Sequence, residues 1–104
     1  MTSFPGTARP WTTGATPDSI YTHLDPKTGK APQNAIYDSH GDVIGHVDFK
    51  NHNGAPSGHG HKFPLPGNPA SGHGKGMLHI PNHLLPAGWA DLPPGVTPRT
   101  PIGQ

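Results

Sequence analysis

The fold of this chain is decided by residues 34–49, NAIYDSHGDVIGHVDF. Two apolar segments, 34–37 and 43–49, flank a short polar segment that contains Gly41. Apolar segments of this length, separated by a few turn-forming residues, are typical of a β-hairpin. The sequence therefore predicts two antiparallel strands joined by a tight turn.

Side-chain alternation along the second strand predicts a polar surface. Successive residues of a strand point to opposite faces of the sheet, so His46 and Asp48 share one face with Ile44. We expect this face to be the wetter one and the opposite face to lie in the core. The residues assigned to the core face are Val43, Val47 and Phe49.

Composition limits the size of the core. The chain has 104 residues, of which 15 are glycine and 15 are proline, and its formal net charge is +1. This length suits one domain, and disorder caused by charge repulsion would require a higher net charge. We predict a sheet-dominated α+β domain, with a small antiparallel sheet and long Gly/Pro-rich loops.

The ends of the chain differ from its middle. Residues 1–19 contain Pro5, Pro10 and Pro17 and predict an extended arm or linker, whereas residues 20–104 predict a single domain. There is no cysteine, which excludes disulfides and thiolate chemistry. No apolar run of about 18 residues and no signal-peptide pattern is present, so we expect no membrane insertion.

Histidine is concentrated in one segment. Seven of the 9 histidines lie within residues 46–83, and several of them have a glycine neighbour. Glycine permits the close approach of a ligand or another backbone, so we interpret this segment as a binding or catalytic site. The seven are His46, His52, His59, His61, His73, His79 and His83.

The first hypothesis is a metal-independent ribonuclease. Near neutral pH a pair of histidines holds both protonation states, so one takes the proton of the 2′-hydroxyl and the other protonates the leaving 5′-oxygen. Asp48 would orient one imidazole by accepting its second ring proton. Lys62 or Lys75 would stabilise the charged phosphorane.

The second hypothesis is a metal site. His59 and His61 are two residues apart and point the same way in an extended segment. With His46, Asp48 or His73 they offer ligands for Zn²⁺ or another divalent metal, which would activate a water molecule for hydrolysis. The narrowest form of this hypothesis assigns His59, His61 and His73 as the ligands.

The third hypothesis requires no catalysis. The histidines would then satisfy loop hydrogen bonds, or bind metal or a partner in an interaction module. Charged residues are only 12% of the chain, so nucleic-acid binding by bulk electrostatics is not expected and phosphate binding would be local.

A pattern of Asp, His and Gly motifs extends over residues 34–103. It consists of Tyr37-Asp38-x-x-Gly41, His46-Val47-Asp48-Phe49, Asn51-His52, Ser57-Gly58-His59-Gly60-His61, Pro66-Gly67, Gly72-His73-Gly74-Lys75-Gly76, His79-Ile80-Pro81, Leu92-Pro93-x-Gly95-Val96-x-Pro98 and Pro101-Ile102-Gly103. This pattern resembles the C-terminal toxin domains of bacterial polymorphic toxins of the Rhs and contact-dependent-inhibition types, in particular a His/Asp-containing class with ribonuclease activity.

The resemblance implies a small α+β or mainly β fold, often barnase/EndoU/RelE-like. It also implies a large N-terminal carrier that secretes the domain and delivers it to the cytoplasm of a target cell, an RNA substrate, and a cognate immunity protein. The N-terminal helices usual in that fold are not visible here. Carried onto this chain, the functional positions are His46, Asp48, His52, His59, His61 and His73.

These arguments together predict an antibacterial endoribonuclease that works by general acid/base catalysis without a cofactor. The alternative is a nuclease or hydrolase that depends on zinc or another divalent metal. The predicted catalytic set is His46, Asp48, His52, His59, His61, Lys62 and His73.

Overall fold

The computed structural model describes residues 2–51, 54–72 and 78–104, which form a six-stranded sheet with two short 3-10 helices. The strands are β1 (Thr2–Gly6), β2 (Ser19–His23), β3 (Gln33–Tyr37), β4 (Val43–Asp48), β5 (His59–Lys62) and β6 (Leu78–Ile80), and the 3-10 helices are Pro69–Gly72 and Asn82–Leu84.

The order of the strands in the sheet follows their order in the chain. β1 pairs with β2 in parallel, and every later neighbouring pair is antiparallel. The prediction of a small sheet-dominated domain is confirmed, whereas a purely antiparallel sheet is wrong because β1, in the predicted arm, joins the edge in parallel. This arrangement does not correspond specifically to the barnase, EndoU or RelE folds.

The predicted hairpin is confirmed as β3 and β4. Its turn is closed by Asp38, whose carboxylate accepts hydrogen bonds from the backbone N–H groups of His40, at 2.9 Å, and Asp42, at 3.0 Å. These backbone bonds, that of Asp42 first, lower the pKa of Asp38. Gly41 has φ of 76°, a left-handed conformation that glycine adopts without strain.

A β-bulge interrupts the hairpin near its turn. Ile36 lies opposite Gly45, but the next residue, Tyr37, lies opposite Val43. Ile44 is therefore an extra residue on β4, and the side-chain alternation changes there.

Because of the bulge, the predicted side-chain alternation is wrong for Val43 and Ile44. Val43 packs on one face of the sheet with Tyr37, whereas Ile44 packs against the core that contains Val47 and Phe49. Val43 and Ile44 thus occupy faces opposite to those predicted. The assignment of Val47 and Phe49 to the core is confirmed.

Each face of the sheet carries its own apolar cluster. One cluster lies beneath the C-terminal segment and includes Trp89 of that segment. Its buried members are Ile20, Ala31, Ile36, Val47, Phe49 and Trp89. The cluster on the other face consists of Tyr21, Ala35, Tyr37, Val43 and Phe63.

A fully buried amide holds the C-terminal segment against the sheet. The Asn34 Nδ2 group donates to the carbonyl oxygens of Trp89, at 3.0 Å, and Asp91, at 2.8 Å. The Asn34 Oδ1 atom accepts from the Thr22 hydroxyl at 2.7 Å. Asn34 therefore pairs buried carbonyls that would otherwise have lost water without compensation.

The N-terminal arm is fastened to the opposite face. The Tyr21 hydroxyl donates to the Ala8 carbonyl, and the Tyr37 hydroxyl donates to the Trp11 carbonyl, each at 2.7 Å. Burial, aided by nearby Tyr21, raises the pKa of Tyr37 to about 12 and outweighs the lowering effect of the bond to Trp11. The Tyr37 hydroxyl therefore remains a donor throughout the neutral range.

In the part of the chain that the structure describes, no helix has the length and apolar character that crossing a bilayer requires.

We expect Asn34→Ala to lower the free energy of unfolding by about 2–4 kcal/mol, since it leaves buried carbonyls without partners. Chemical denaturation measures this loss. The control is Asn68→Ala, because the Asn68 side chain is exposed and we expect a change within about 0.5 kcal/mol. Equal effects of the two substitutions would contradict the role of the Asn34 amide.

Candidate functional site: a histidine–aspartate cluster on β4 and β5

Four polar residues form a square on one face of the sheet. The register of β4 and β5 places His46 opposite His61 and Asp48 opposite His59. Residues that face each other across an antiparallel pair lie on the same side of the sheet, as do residues two apart along a strand. We call His46, Asp48, His59 and His61 the His/Asp cluster.

All three imidazoles converge on one carboxylate oxygen. The Nε2 atoms of His46, His59 and His61 lie 3.6, 3.5 and 3.3 Å from Asp48 Oδ2. Good N–H···O hydrogen bonds are shorter, about 2.7–3.2 Å. Neighbouring ligands of a tetrahedral metal stand about 3.3–3.4 Å apart when each metal–ligand distance is about 2.0–2.1 Å. The spacing therefore suits a shared cation.

Three of the four ligand atoms form a compact group. The candidate ligand atoms of His46, Asp48 and His61 all lie within 4.8 Å of one another. Their side chains are 10%, 14% and 4% exposed, respectively. A ligand bound here would be held mainly by protein groups, with one side accessible.

His59 shows which form of imidazole faces the cluster. Its Nδ1 atom lies 2.9 Å from the Pro56 carbonyl oxygen, which can only accept, so Nδ1 carries a proton. In the neutral ring the Nε2 atom is then unprotonated and carries a lone pair. This atom makes no hydrogen bond within the described residues. Because it faces the Asp48 carboxylate, a proton or a metal ion between them is needed to offset the repulsion.

The electrostatics of the cluster centre on Asp48. Burial by itself raises the pKa of the Asp48 carboxyl, but hydrogen bonding and positive charge from His46 and His61 outweigh it and hold the pKa well below its usual range. Gln33 adds a long bond, from its Nε2 to Asp48 Oδ1 at 3.4 Å. Asp48 is therefore ionised at neutral pH and available as an anionic ligand.

A further histidine borders the cluster. His79 on β6 lies opposite His61 on β5, and their ring centroids are 4.6 Å apart. Its ring is 6.1 Å from that of His59, and the residue is exposed. The sequence analysis left His79 out of the catalytic set. No local pattern in the chain indicates that the strand of His79 pairs with β5.

The glycines beside these histidines face away from the cluster. A Cβ on Gly45 would lie 2.8 Å from the Trp89 ring and 2.6 Å from the His61 carbonyl oxygen. A Cβ on Gly60 would lie 2.5 Å from Leu85 Cδ2. The sequence left open whether these glycines admit a ligand or another part of the chain, and both allow the C-terminal segment to pack directly beneath the histidines.

The described residues line three cavities beside the His/Asp cluster. One of about 320 Å³ adjoins His46 and is lined by Arg9 and Trp11 of the arm. A second, of about 170 Å³, is lined by Asp48, Lys50 and Arg99, with Gln33 shared between the two. A third, of about 420 Å³, lies beside His59 and His79 and is mainly apolar.

The charges around these cavities are mostly positive. Among the described lining residues, Asp48 is the single carboxylate, while Arg9, Lys50 and Arg99 each bring a cation. These flanking cavities therefore favour an anionic ligand over a cationic one.

The structure brings together four of the predicted site residues: His46, Asp48, His59 and His61. Lys62 is not among them, because it follows His61 by one position on β5, is exposed, and shares its face with Gly60 and Gly45. His52 and His73 lie outside the described residues, as does Lys75, the alternative to Lys62 for stabilising the charged phosphorane.

We expect Gly45→Ala to destabilise the fold by about 1–3 kcal/mol, because backbone and an indole ring must move to admit the methyl group. Gly60→Ala is the matched comparison, and we expect a smaller loss because the end of the Leu85 side chain can rotate away. Denaturation in urea measures both. The reverse order of stability would contradict this account of the packing beneath the cluster.

Comparison of the chain with protein-family models, with curated proteins and with solved structures found no match.

Proposed function

We propose that this chain is a metal-dependent hydrolase of phosphodiesters, in which His46, Asp48 and His61 hold Zn²⁺ or a related divalent ion. The observation that carries the proposal is the convergence of two imidazoles and one carboxylate within 4.8 Å of one another on a buried sheet face. The separations of 3.3–3.6 Å between the imidazole Nε2 atoms and Asp48 Oδ2 are close to the spacing of neighbouring ligands around a tetrahedral metal.

The ligand types agree with this proposal. Imidazole nitrogen and carboxylate oxygen are common Zn²⁺ ligands, and three protein ligands leave a position for water, as in catalytic zinc sites. A metal at this position would lower the pKa of that water and polarise the substrate. The Nε2 lone pair of His59 would either complete the coordination or accept a proton from the bound water.

A phosphodiester is the favoured substrate because of the surrounding charge. The cavities beside His46 and Asp48 contain Arg9, Lys50 and Arg99. Guanidinium groups bind phosphate oxygens in pairs, and ammonium groups bind them as point charges. RNA is the substrate that agrees with the toxin-like residue pattern.

We also propose the biological setting that the resemblance implies. The chain would be the C-terminal toxin domain of a bacterial polymorphic toxin, secreted with a large N-terminal carrier, delivered to the cytoplasm of a target cell and neutralised by a cognate immunity protein. A relation to barnase, EndoU or RelE domains belongs to the same proposal. Its support is the pattern of Asp, His and Gly motifs over residues 34–103.

The second candidate is the metal-independent ribonuclease. It is favoured by one observation, namely that His46 and His61 together hold the pKa of Asp48 low. An ionised carboxylate beside several imidazoles stabilises one imidazolium next to a neutral ring, which is the state that acid/base cleavage of RNA needs. Chelation separates the two candidates.

We expect purified protein to hydrolyse single-stranded RNA and bis(p-nitrophenyl) phosphate, to lose both activities in EDTA, and to recover them when Zn²⁺, Co²⁺ or Mn²⁺ is added in excess. Product formation is measured by gel electrophoresis and by nitrophenolate absorbance. RNA cleavage that continues undiminished after exhaustive chelation would reject the metal hydrolase in favour of acid/base catalysis.

We expect Asp48→Asn and His61→Ala to weaken Co²⁺ or Zn²⁺ binding by at least about tenfold, since even groups outside the coordination sphere are worth about 10–100-fold in affinity. Isothermal titration and the Co²⁺ absorption spectrum measure the change. His40→Ala is the matched control, because His40 lies exposed in the hairpin turn. Equal binding by His40→Ala and His61→Ala would remove His61 as a ligand.

A further inference from the structure

We propose that the cavity between the N-terminal arm and β4 binds one unpaired base of single-stranded nucleic acid together with an adjacent phosphate. Trp11 is the stacking platform for the base, and Arg9 contacts the phosphate. This inference rests on the proposed phosphodiester hydrolysis, because it names how a substrate is held next to the His/Asp cluster.

Trp11 has the exposure and the support of a stacking platform. Its side chain is 59% exposed although indole is among the most apolar side chains. The Trp11 carbonyl accepts the Tyr37 hydroxyl at 2.7 Å, which fixes the backbone. Its ring packs near that of Tyr21, with centroids 5.6 Å apart. An exposed aromatic ring on a fixed backbone is the usual device for binding unpaired bases.

Arg9 supplies the charge beside this platform. Both residues line the same cavity of about 320 Å³. Within the described residues, Arg9 forms no salt bridge and no carboxylate lines this cavity. The guanidinium is therefore available for a ligand phosphate, which it binds through paired hydrogen bonds.

The cavity leads directly to the His/Asp cluster. His46 lines it on the side of the sheet, and Gln33 belongs both to this cavity and to the one lined by Lys50 and Arg99. A strand whose base stacks on Trp11 can thus lay its next phosphodiester over the His46–Asp48 edge. The following phosphate would then approach Lys50 and Arg99, the two cations of the neighbouring cavity.

A single strand fits these features better than a duplex. Stacking on Trp11 requires a base that is free of its pairing partner, whereas duplex binding needs only phosphate contacts from a broad basic surface. The chain has 7 Lys and Arg residues in all, too few for such a surface. Recognition by one stacked base and a few local cations suits this composition.

The test measures binding without cleavage. Protein in EDTA is titrated with a short, labelled 2′-O-methyl oligouridylate, and fluorescence anisotropy gives Kd. Trp11→Ala should weaken binding by about five- to 150-fold, the range for loss of one base–aromatic stack. Trp11→Phe should retain most of the affinity. Arg9→Ala should weaken binding and reduce its dependence on salt concentration.

Matched controls remove similar groups elsewhere. Phe4→Ala deletes another exposed aromatic side chain of the arm, and Lys27→Ala deletes a cation in an exposed turn. Both should bind the oligonucleotide like the parent. Circular dichroism and thermal unfolding identify any variant whose fold is lost, in which case Trp11→Leu, which keeps an apolar side chain without an aromatic face, and Arg9→Gln carry the comparison.

The outcomes for this site and for the proposed hydrolysis are separable. Hydrolysis of bis(p-nitrophenyl) phosphate should be unchanged in the control variants Phe4→Ala and Lys27→Ala. Trp11-dependent binding without hydrolysis of any diester would support this site and reject the hydrolase. Metal-dependent hydrolysis with equal oligonucleotide affinity in the parent, Trp11→Ala and Arg9→Ala proteins would overturn this site. Tighter binding of duplex than of single strand would overturn it as well.

Discussion

The antiparallel pairing of β4 with β5 is the constraint on which the rest of the site depends. It sets His46 opposite His61 and Asp48 opposite His59. A shift of one residue would turn the imidazoles of one strand to the other side of the sheet, since the side-chain period of a strand is two. Backbone hydrogen bonds, rather than contacts among the imidazoles, therefore hold the cluster together. Such a site is preorganised before any ligand arrives, which lowers the entropic cost of binding.

The register itself is secured from the opposite face. Gly45 and Gly60 let Trp89 and Leu85 approach the sheet directly beneath the cluster, and the buried Asn34 amide fixes the carbonyls of the segment that carries Trp89. A slipped register would place side chains where these glycines leave space. Packing on the apolar side thus determines the geometry on the polar side, and the two faces cannot be varied independently.

Charge balance is the physical reason for proposing a bound cation at this cluster. Asp48 is ionised and largely buried, and the lone pair of His59 faces it. A buried carboxylate surrounded by neutral imidazoles is costly unless positive charge lies among them. A single proton makes only one imidazole positive at a time. A divalent ion would bind several imidazoles and the carboxylate at once. In the proposed function, the arginine and lysine residues around the cluster would hold a substrate anion beside that ion.

The sequence by itself determined the sheet-dominated class, the hairpin at residues 34–49 and the common face of His46 and Asp48, because these depend on local alternation and turn chemistry. His59 and His61 were likewise predictable as a pair. Tertiary structure decided what depends on distant partners. It placed Lys62 on the face opposite to the His/Asp cluster, exchanged the faces of Val43 and Ile44 through the bulge, and set His79 beside His61. It also packed the C-terminal segment against the glycines and docked the arm that brings Arg9 and Trp11 near the cluster. Strand register and packing between remote segments leave no local pattern in the chain, since they follow from the energy of the whole assembled core.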